Sequence, residues 1–187
     1  MIYPPQEDSY LIKEKIKENI TKKDIVLDIG TGSGILGIEA TKFAKRVIAV
    51  DINQNAVTAL KNKKIANLTV RKSNLFSQIK EKFDLIIFNP PYLPLDKNES
   101  IKSRLTTTGG KKGYEIIEKF LDQANDYLKP EGNILLLFSS LTNKKKVNEI
   151  LDKNLFKYTL IADTKLFFEE IFVYKISKND FLKKLDK

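Results

Sequence analysis

Histidine, cysteine and tryptophan are all absent from this sequence, and methionine occurs once. Without cysteine there is no disulfide and no thiolate chemistry. Without histidine the commonest general base and the commonest metal ligand are both missing, and no metal site is expected. Long apolar runs are missing too. Stretches such as Leu85-Ile86-Ile87-Phe88 and Ile134-Leu135-Leu136-Leu137-Phe138 fall far short of the roughly 18 residues a membrane helix needs. They read as buried strands, and no membrane partner is expected. The opening Met1-Ile2-Tyr3-Pro4-Pro5-Gln6-Glu7-Asp8 lacks the basic and apolar stretches of a signal peptide, so the expected compartment is the cytoplasm. Arginine is scarce, occurring at Arg46, Arg71 and Arg104, although Lys+Arg of 33 against Asp+Glu of 24 gives a net charge of +9. Arginine is the better residue for bidentate phosphate and base contacts, and the lysines form no dominant block. The basic balance therefore reads mainly as a solvated lysine-rich surface, with a nucleic-acid contact through it left open.

What is present is the composition of one ordinary globular domain: 187 residues, 42% hydrophobic and 30% charged. A single domain over 1–187 is expected, with residues 1–24 forming an N-terminal segment and helix. No repeat, low-complexity stretch or linker interrupts it. Apolar runs alternate with segments of helical period, the pattern of an α/β protein. Strands are expected at 25–29, 47–50, 68–70, 85–88 and 134–138. Helices are expected from Gly34 to about Ala44, Gln54 to Ala66, Tyr114 to Leu128 and Asn143 to Asp152. Lys129-Pro130-Glu131-Gly132 is expected to stop the third of these. The runs 157–162 and 167–175 lie too close together for a crossover helix and must pair antiparallel. The outline is that of a Rossmann-like class I methyltransferase: a mostly parallel seven-stranded sheet with an antiparallel C-terminal hairpin and helices on both faces.

Asp28-Ile29-Gly30-Thr31-Gly32-Ser33-Gly34 lies where the first strand meets a helix, at the sheet edge where open α/β folds bind ligands. Its glycines let backbone N–H groups and a ligand approach closely. Gly32-Ser33-Gly34-Ile35-Leu36-Gly37 also matches the dinucleotide fingerprint, with Asp51 near the spacing of its ribose acid, so spacing alone does not separate the two cofactors. S-adenosyl-L-methionine is favoured because Asp28 already ends the first strand and because Gly30, Gly32 and Gly34 alternate within the turn. Asp51, followed by Ile52, would then accept hydrogen bonds from the ribose hydroxyls. Asn74-Leu75-Phe76 follows the third strand, in the position of an adenine site.

Asn89-Pro90-Pro91-Tyr92 follows the strand 83–88 directly. Two prolines fix two φ angles and restrict Asn89, so this backbone is rigid before substrate arrives. A planar amide or aromatic amine is a poor nucleophile because its lone pair is delocalised. The Asn89 side-chain oxygen and the Pro90 carbonyl can each accept one of its N–H groups, while Tyr92 covers its flat face. Such a site works by positioning rather than by a strong base, consistent with the missing histidine.

With these motifs the chain resembles the HemK-like protein glutamine N5-methyltransferases, in particular the short archaeal and eukaryotic branch. Tyr3-Pro4-Pro5-Gln6-Glu7-Asp8-Ser9 is similar to that family's segment over the cofactor, which implies cofactor contacts for Tyr3, Asp8 and Ser9. Gly109-Gly110-Lys111-Lys112-Gly113 resembles its glycine-rich stretch before a helix. The longer branch carries a helical recognition domain ahead of its core, whereas only about two dozen residues precede the first strand here, so the short branch is the one expected. The resemblance implies methyl transfer to the glutamine of the Gly-Gly-Gln loop in a class 1 translation release factor. It also implies a heterodimer with a small zinc-binding activator subunit, docked along Leu68-Thr69-Val70-Arg71. The competing function is an N6-adenine or N2-guanine methyltransferase acting on RNA or DNA, which uses the same Asn-Pro-Pro-Tyr geometry. Lysine methylation lacks an evident base. A silent binding subunit is disfavoured by the intact Asp28, Asp51, Asn89 and Tyr92, and a dehydrogenase leaves Asn89 to Tyr92 unexplained.

Overall fold

The computed structural model describes residues 5–185. Its centre is a seven-stranded sheet of β1 (Ile25–Ile29), β2 (Arg46–Asp51), β3 (Leu68–Lys72), β4 (Phe83–Phe88), β7 (Leu128–Ser139), β8 (Phe156–Lys165) and β9 (Glu170–Lys178), in the order β3-β2-β1-β4-β7-β9-β8. The pairs from β3 through to β7 are parallel, and β9 runs antiparallel to both β7 and β8. The expected mostly parallel sheet with an antiparallel C-terminal hairpin is the observed one.

Period-two alternation along these strands divides the core into two layers. On one face Leu27, Ile48, Ile86, Ile134 and Leu136 pack with Ile117, Phe120 and Leu121 of α5 (Glu115–Tyr127) and with Val147 and Leu151 of α6 (Lys144–Lys153). On the other, Val26, Val47, Leu85, Ile87, Leu135 and Leu137 pack with Ile12 and Ile16 of α1 (Glu7–Ile16) and with Leu36 and Ala40 of α2 (Ile35–Thr41). Ala49 and Val70 hold Val57 and Leu60 of α3 (Gln54–Lys61). Ile12 and Ile16 lie one helical turn apart on one face of α1 and are fully buried, which seats this helix firmly against the sheet.

Several expectations shift. Helices α2 and α3 end at Thr41 and Lys61, earlier than their apolar spacing suggests. Lys129 to Gly132 is not a free turn, because β7 already begins at Leu128, which pairs with Phe83 across a register shift. Pro130 sits at that irregularity, where a strand tolerates a missing donor. Lys129 clamps it with a 2.7 Å ion pair to Asp84. A second element was not anticipated: α4 (Ile101–Thr107) and a short parallel ribbon of β5 (Leu93–Pro94) with β6 (Thr108–Gly110) follow the Asn-Pro-Pro-Tyr segment. The last described element is α7 (Asp180–Leu185). No helix among the described residues is long and apolar enough to cross a membrane.

Strand order reverses at β1, whose two neighbours β2 and β4 lead to opposite halves of the sheet. Ile29 and Phe88 are register partners at the carboxyl ends of β1 and β4. Gly30 and Asn89, each one residue further on, are therefore delivered side by side at the switch point, where open α/β sheets leave a crevice.

Candidate active site

A cleft of about 1020 Å³ occupies this crevice. Small-ligand sites run roughly 300–1,000 Å³, so there is room for a nucleoside-sized cofactor together with one acceptor side chain. Asp8, Ser9, Gly30, Gly32, Asp51, Ile52, Asn74, Leu75, Asn89, Pro90, Pro91 and Tyr92 all line it. The residues come from five separate stretches of the chain.

The glycine turn is built around two carboxylates. Gly30, Gly32 and Gly34 all adopt positive φ (+64°, +52° and +84°), which side-chain-bearing residues rarely do. At Gly34 a Cβ would also come within 2.5 Å of Leu60 Cδ1, so this glycine leaves room for the Leu60 side chain of α3. Asp51 ties the turn to the end of β2: its Oδ2 accepts from Gly32 N and its Oδ1 from Asn53 N, both at 2.8 Å. Each carboxylate oxygen keeps a second lone pair for a ligand hydroxyl.

Asp28 has a different place from the one its motif suggests. It is fully buried and lies outside the cleft lining, as does Gly34. Its Oδ2 accepts from Thr31 Oγ1 at 2.5 Å and from Gly37 N at 2.9 Å, while its Oδ1 is buried without a partner among the described residues. Burial, aided by the charge of Asp51, pushes its carboxyl up to about 7 against the lowering effect of those two hydrogen bonds. Asp28 thus shapes the turn from behind. Tyr3 lies outside the described residues.

The loop after β3 carries local strain. Leu75 has φ +47°, a left-handed conformation that costs an ordinary residue about 1–2 kcal/mol. Ser73 holds it there, donating from Oγ to the Leu75 carbonyl at 2.7 Å and accepting from Gln78 N at 3.1 Å. Next in sequence, Phe76 is buried and stacks on Phe120 and Tyr127, with centroids 5.5 and 4.3 Å away. Phe88 leans on the same Phe120 at 4.6 Å. One aromatic column therefore supports both the Leu75 loop and the strand end that presents Asn89.

At that strand end, Asn89 Nδ2 donates to Asp8 Oδ2 at 3.1 Å, and Asn89 Oδ1 is buried with no partner among the described residues. Tyr92 is buried against the layer containing Ile12 and Leu36, and its carbonyl accepts a 2.9 Å bond from Thr142 Oγ1. Beyond it the β5–β6 ribbon folds back. A Cβ on Gly109 would strike the Gly113 carbonyl oxygen and come within 2.6 Å of the Pro91 carbonyl oxygen, so Gly109 lets the ribbon lie directly on the Asn-Pro-Pro-Tyr backbone.

Sequence reasoning missed several lining residues. Arg104 reaches the cleft from α4, its Nη2 donating to the Lys97 carbonyl at 2.6 Å and its Nε buried without a partner among the described residues. Ser73 and Thr106 to Thr108 also line it. So do Ile116, Lys119 and Gln123 of α5. Their spacing of three and four residues puts them on one helical face, a signal that was present in the sequence.

A switch-point cleft bordered by a glycine turn, a strand-ending acid and Asn-Pro-Pro-Tyr defines the class: a Rossmann-like methyltransferase. Within it, the chain belongs to the methyltransferase small domain family, whose model matches residues 7–169. A protein of Methanocaldococcus jannaschii named as a protein N5-glutamine methyltransferase is 41% identical over 178 residues, covering 92% of this chain and 89% of that one. The release factor glutamine methyltransferase of Streptococcus pneumoniae is 33% identical over 148 residues, 73% of this chain but only 53% of the longer relative, so the chain spans about half its length. Among solved structures, the E. cuniculi Mtq2-Trm112 complex responsible for methylation of the eRF1 translation termination factor matches in fold. Its TM-score is 0.78 at 24% identity, covering 95% of this chain and 99% of that one.

Proposed function

We propose that this protein transfers a methyl group from S-adenosyl-L-methionine to the side-chain amide nitrogen of a protein glutamine, with the Gly-Gly-Gln loop of a class 1 release factor as acceptor. The observation that carries the reading is the Asn89 side-chain oxygen, buried and unpartnered beside the glycine turn. A buried acceptor without a donor is costly, and a planar NH₂ group is the donor that would satisfy it. The names and extent of the relatives favour a glutamine amide as that group.

The donor set fits the cofactor. Asp51 offers carboxylate lone pairs to ribose hydroxyls, the turn offers backbone N–H groups, and Ile52 and Leu75 offer apolar surface to a flat base; Ile52 is 64% exposed. The cofactor supplies an electrophilic sulfonium methyl. Asn89 Oδ1 and the Pro90 carbonyl hold the two N–H groups of the acceptor so that its lone pair, normally delocalised, is presented for attack. With the cofactor bound, methylation would leave the acceptor nitrogen positively charged, and one of the protons held by Asn89 Oδ1 and the Pro90 carbonyl would then pass to water. No strong base is needed at that stage.

A small zinc-binding activator subunit is proposed to pair with β3. This strand ends the sheet, and an unpaired edge is a ready template for strand addition. A release-factor acceptor places the reaction in the cytoplasm.

The reading is tested by transferring isotope-labelled methyl from S-adenosyl-L-methionine into a cell extract, which supplies any missing partner, followed by separate nuclease and protease digestion. Label resistant to nuclease and recovered as N5-methylglutamine is the expected result. Label recovered on an adenine or guanine amine would move the substrate to nucleic acid and overturn it.

A further inference from the structure

Asn89 can hold an acceptor NH₂ group only if its own amide points the right way round. The two ends of that amide are nearly the same size, so shape alone discriminates weakly between them, and a flipped Asn89 would present a donor where an acceptor is needed. Among the described residues, the bond that distinguishes the ends runs from Nδ2 to Asp8 Oδ2, across 81 positions of sequence. Asp8 is 3% exposed and sits in the first turn of α1. Its other oxygen is engaged by the Ser9 backbone N–H and hydroxyl, at 2.6 and 3.2 Å. The helix behind it is anchored by the fully buried Ile12 and Ile16.

From this we infer that Asp8 is the positioning residue of the active site, setting the orientation of the Asn89 amide and strengthening its oxygen as an acceptor. The inference rests on Asn89 holding the acceptor nitrogen, as in the function proposed above. Two physical effects follow from one contact. A carboxylate facing the NH₂ end favours the observed orientation, because a flip would bring two acceptor oxygens together. A charge-assisted bond to that NH₂ end also draws the amide toward its polar resonance form, placing more electron density on Oδ1. Asp8 thereby acts through Asn89 rather than on the cofactor.

The test is a double-substitution cycle with Asp8→Ala, Asp8→Asn and Asn89→Ala. Initial rates are measured on whichever acceptor the wild type labels in extract, and cofactor affinity is measured by calorimetry, which also reports folding. Asp8→Ala is expected to lower kcat about 10–100-fold with S-adenosyl-L-methionine affinity held within about twofold. Asp8→Asn, which can still accept from Nδ2 without the charge, is expected to retain more activity than Asp8→Ala. In the Asn89→Ala background, Asp8→Ala should cost less than about a further twofold, because the group it orients is gone. Losses that multiply in the double variant would overturn the inference. So would cofactor affinity falling in parallel with rate, which would make Asp8 a cofactor contact. If Asp8→Ala does not fold, the same cycle is read with Asp8→Asn. A wild type that labels nucleic acid would defeat the glutamine reading while leaving this cycle readable, since Asn89 serves either acceptor.

Discussion

Asn89 and Asp51 border the same cleft yet answer to different measurements. Replacing Asn89 with alanine removes the acceptor proposed to hold the substrate nitrogen. The expected result is a fall in kcat of at least about 10²–10³-fold, with cofactor affinity by calorimetry nearly unchanged. Asp51→Ala loses the carboxylate proposed to meet the ribose and also frees Gly32 N, so cofactor binding itself should weaken; unchanged affinity would mean the ribose lies elsewhere. Asp28 responds to pH. Its folded value of about 7 lies above the ordinary carboxylate value near 3.9, so between about pH 4 and 7 the folded chain keeps a proton that the unfolded chain has released. Its contribution to stability is full below the unfolded value and is lost as pH rises through the folded one. Asp28→Asn cannot titrate and should flatten that decline in a denaturation series from pH 4 to 8, whereas an unchanged slope would assign the decline to other groups.

Elements decide how far the site could be foreseen. The glycine turn and Asn89 to Tyr92 were legible because each is a contiguous segment whose backbone demands announce themselves, in alternating glycines and in paired prolines. The five parallel strands were legible as β-branched and apolar runs. The Asp8–Asn89 contact was not, since it depends on α1 packing across the sheet, and no local pattern encodes a distance of 81 residues. The β5–β6 ribbon and α4 were missed for another reason: elements of two, three and seven residues are too short to establish a period. The extension of β7 back to Leu128 was hidden by Pro130, which reads as a breaker until its place at a register shift is seen. Gly109 belongs to this scale, because it joins two elements rather than shaping one. Gly109→Ala would push the ribbon off the Pro91 backbone, an overpacking expected to cost about 1–3 kcal/mol. In a chain of this size that lowers Tm by roughly 2–12 °C, with a fall in kcat alongside; an unchanged Tm would show that the ribbon yields freely.

For the whole molecule, the two apolar layers meet the same sheet, and α1 packs against both α2 and β8, on opposite sides of the sheet's centre. A single cooperative unit is the proposal, and calorimetry should record one unfolding transition. S-adenosyl-L-methionine at about 100 times its Kd stabilises the folded state by about 2.7 kcal/mol, so that transition should move up by roughly 5–10 °C as one. Two separable transitions, with only one moved by the cofactor, would divide the chain. The sheet's order also bears on how the chain is made. Strand β9 is the last along the sequence yet lies inside the sheet, between β7 and β8. A nascent chain still on the ribosome can pair β1 with β2 and β4, and β2 with β3, early, but β7 keeps one side bare and β8 has no neighbour until residue 178 has emerged. The cofactor half of the molecule can thus take shape well before the sheet is sealed, and stalled or shortened chains would display the apolar flank of β7 to chaperones and proteases.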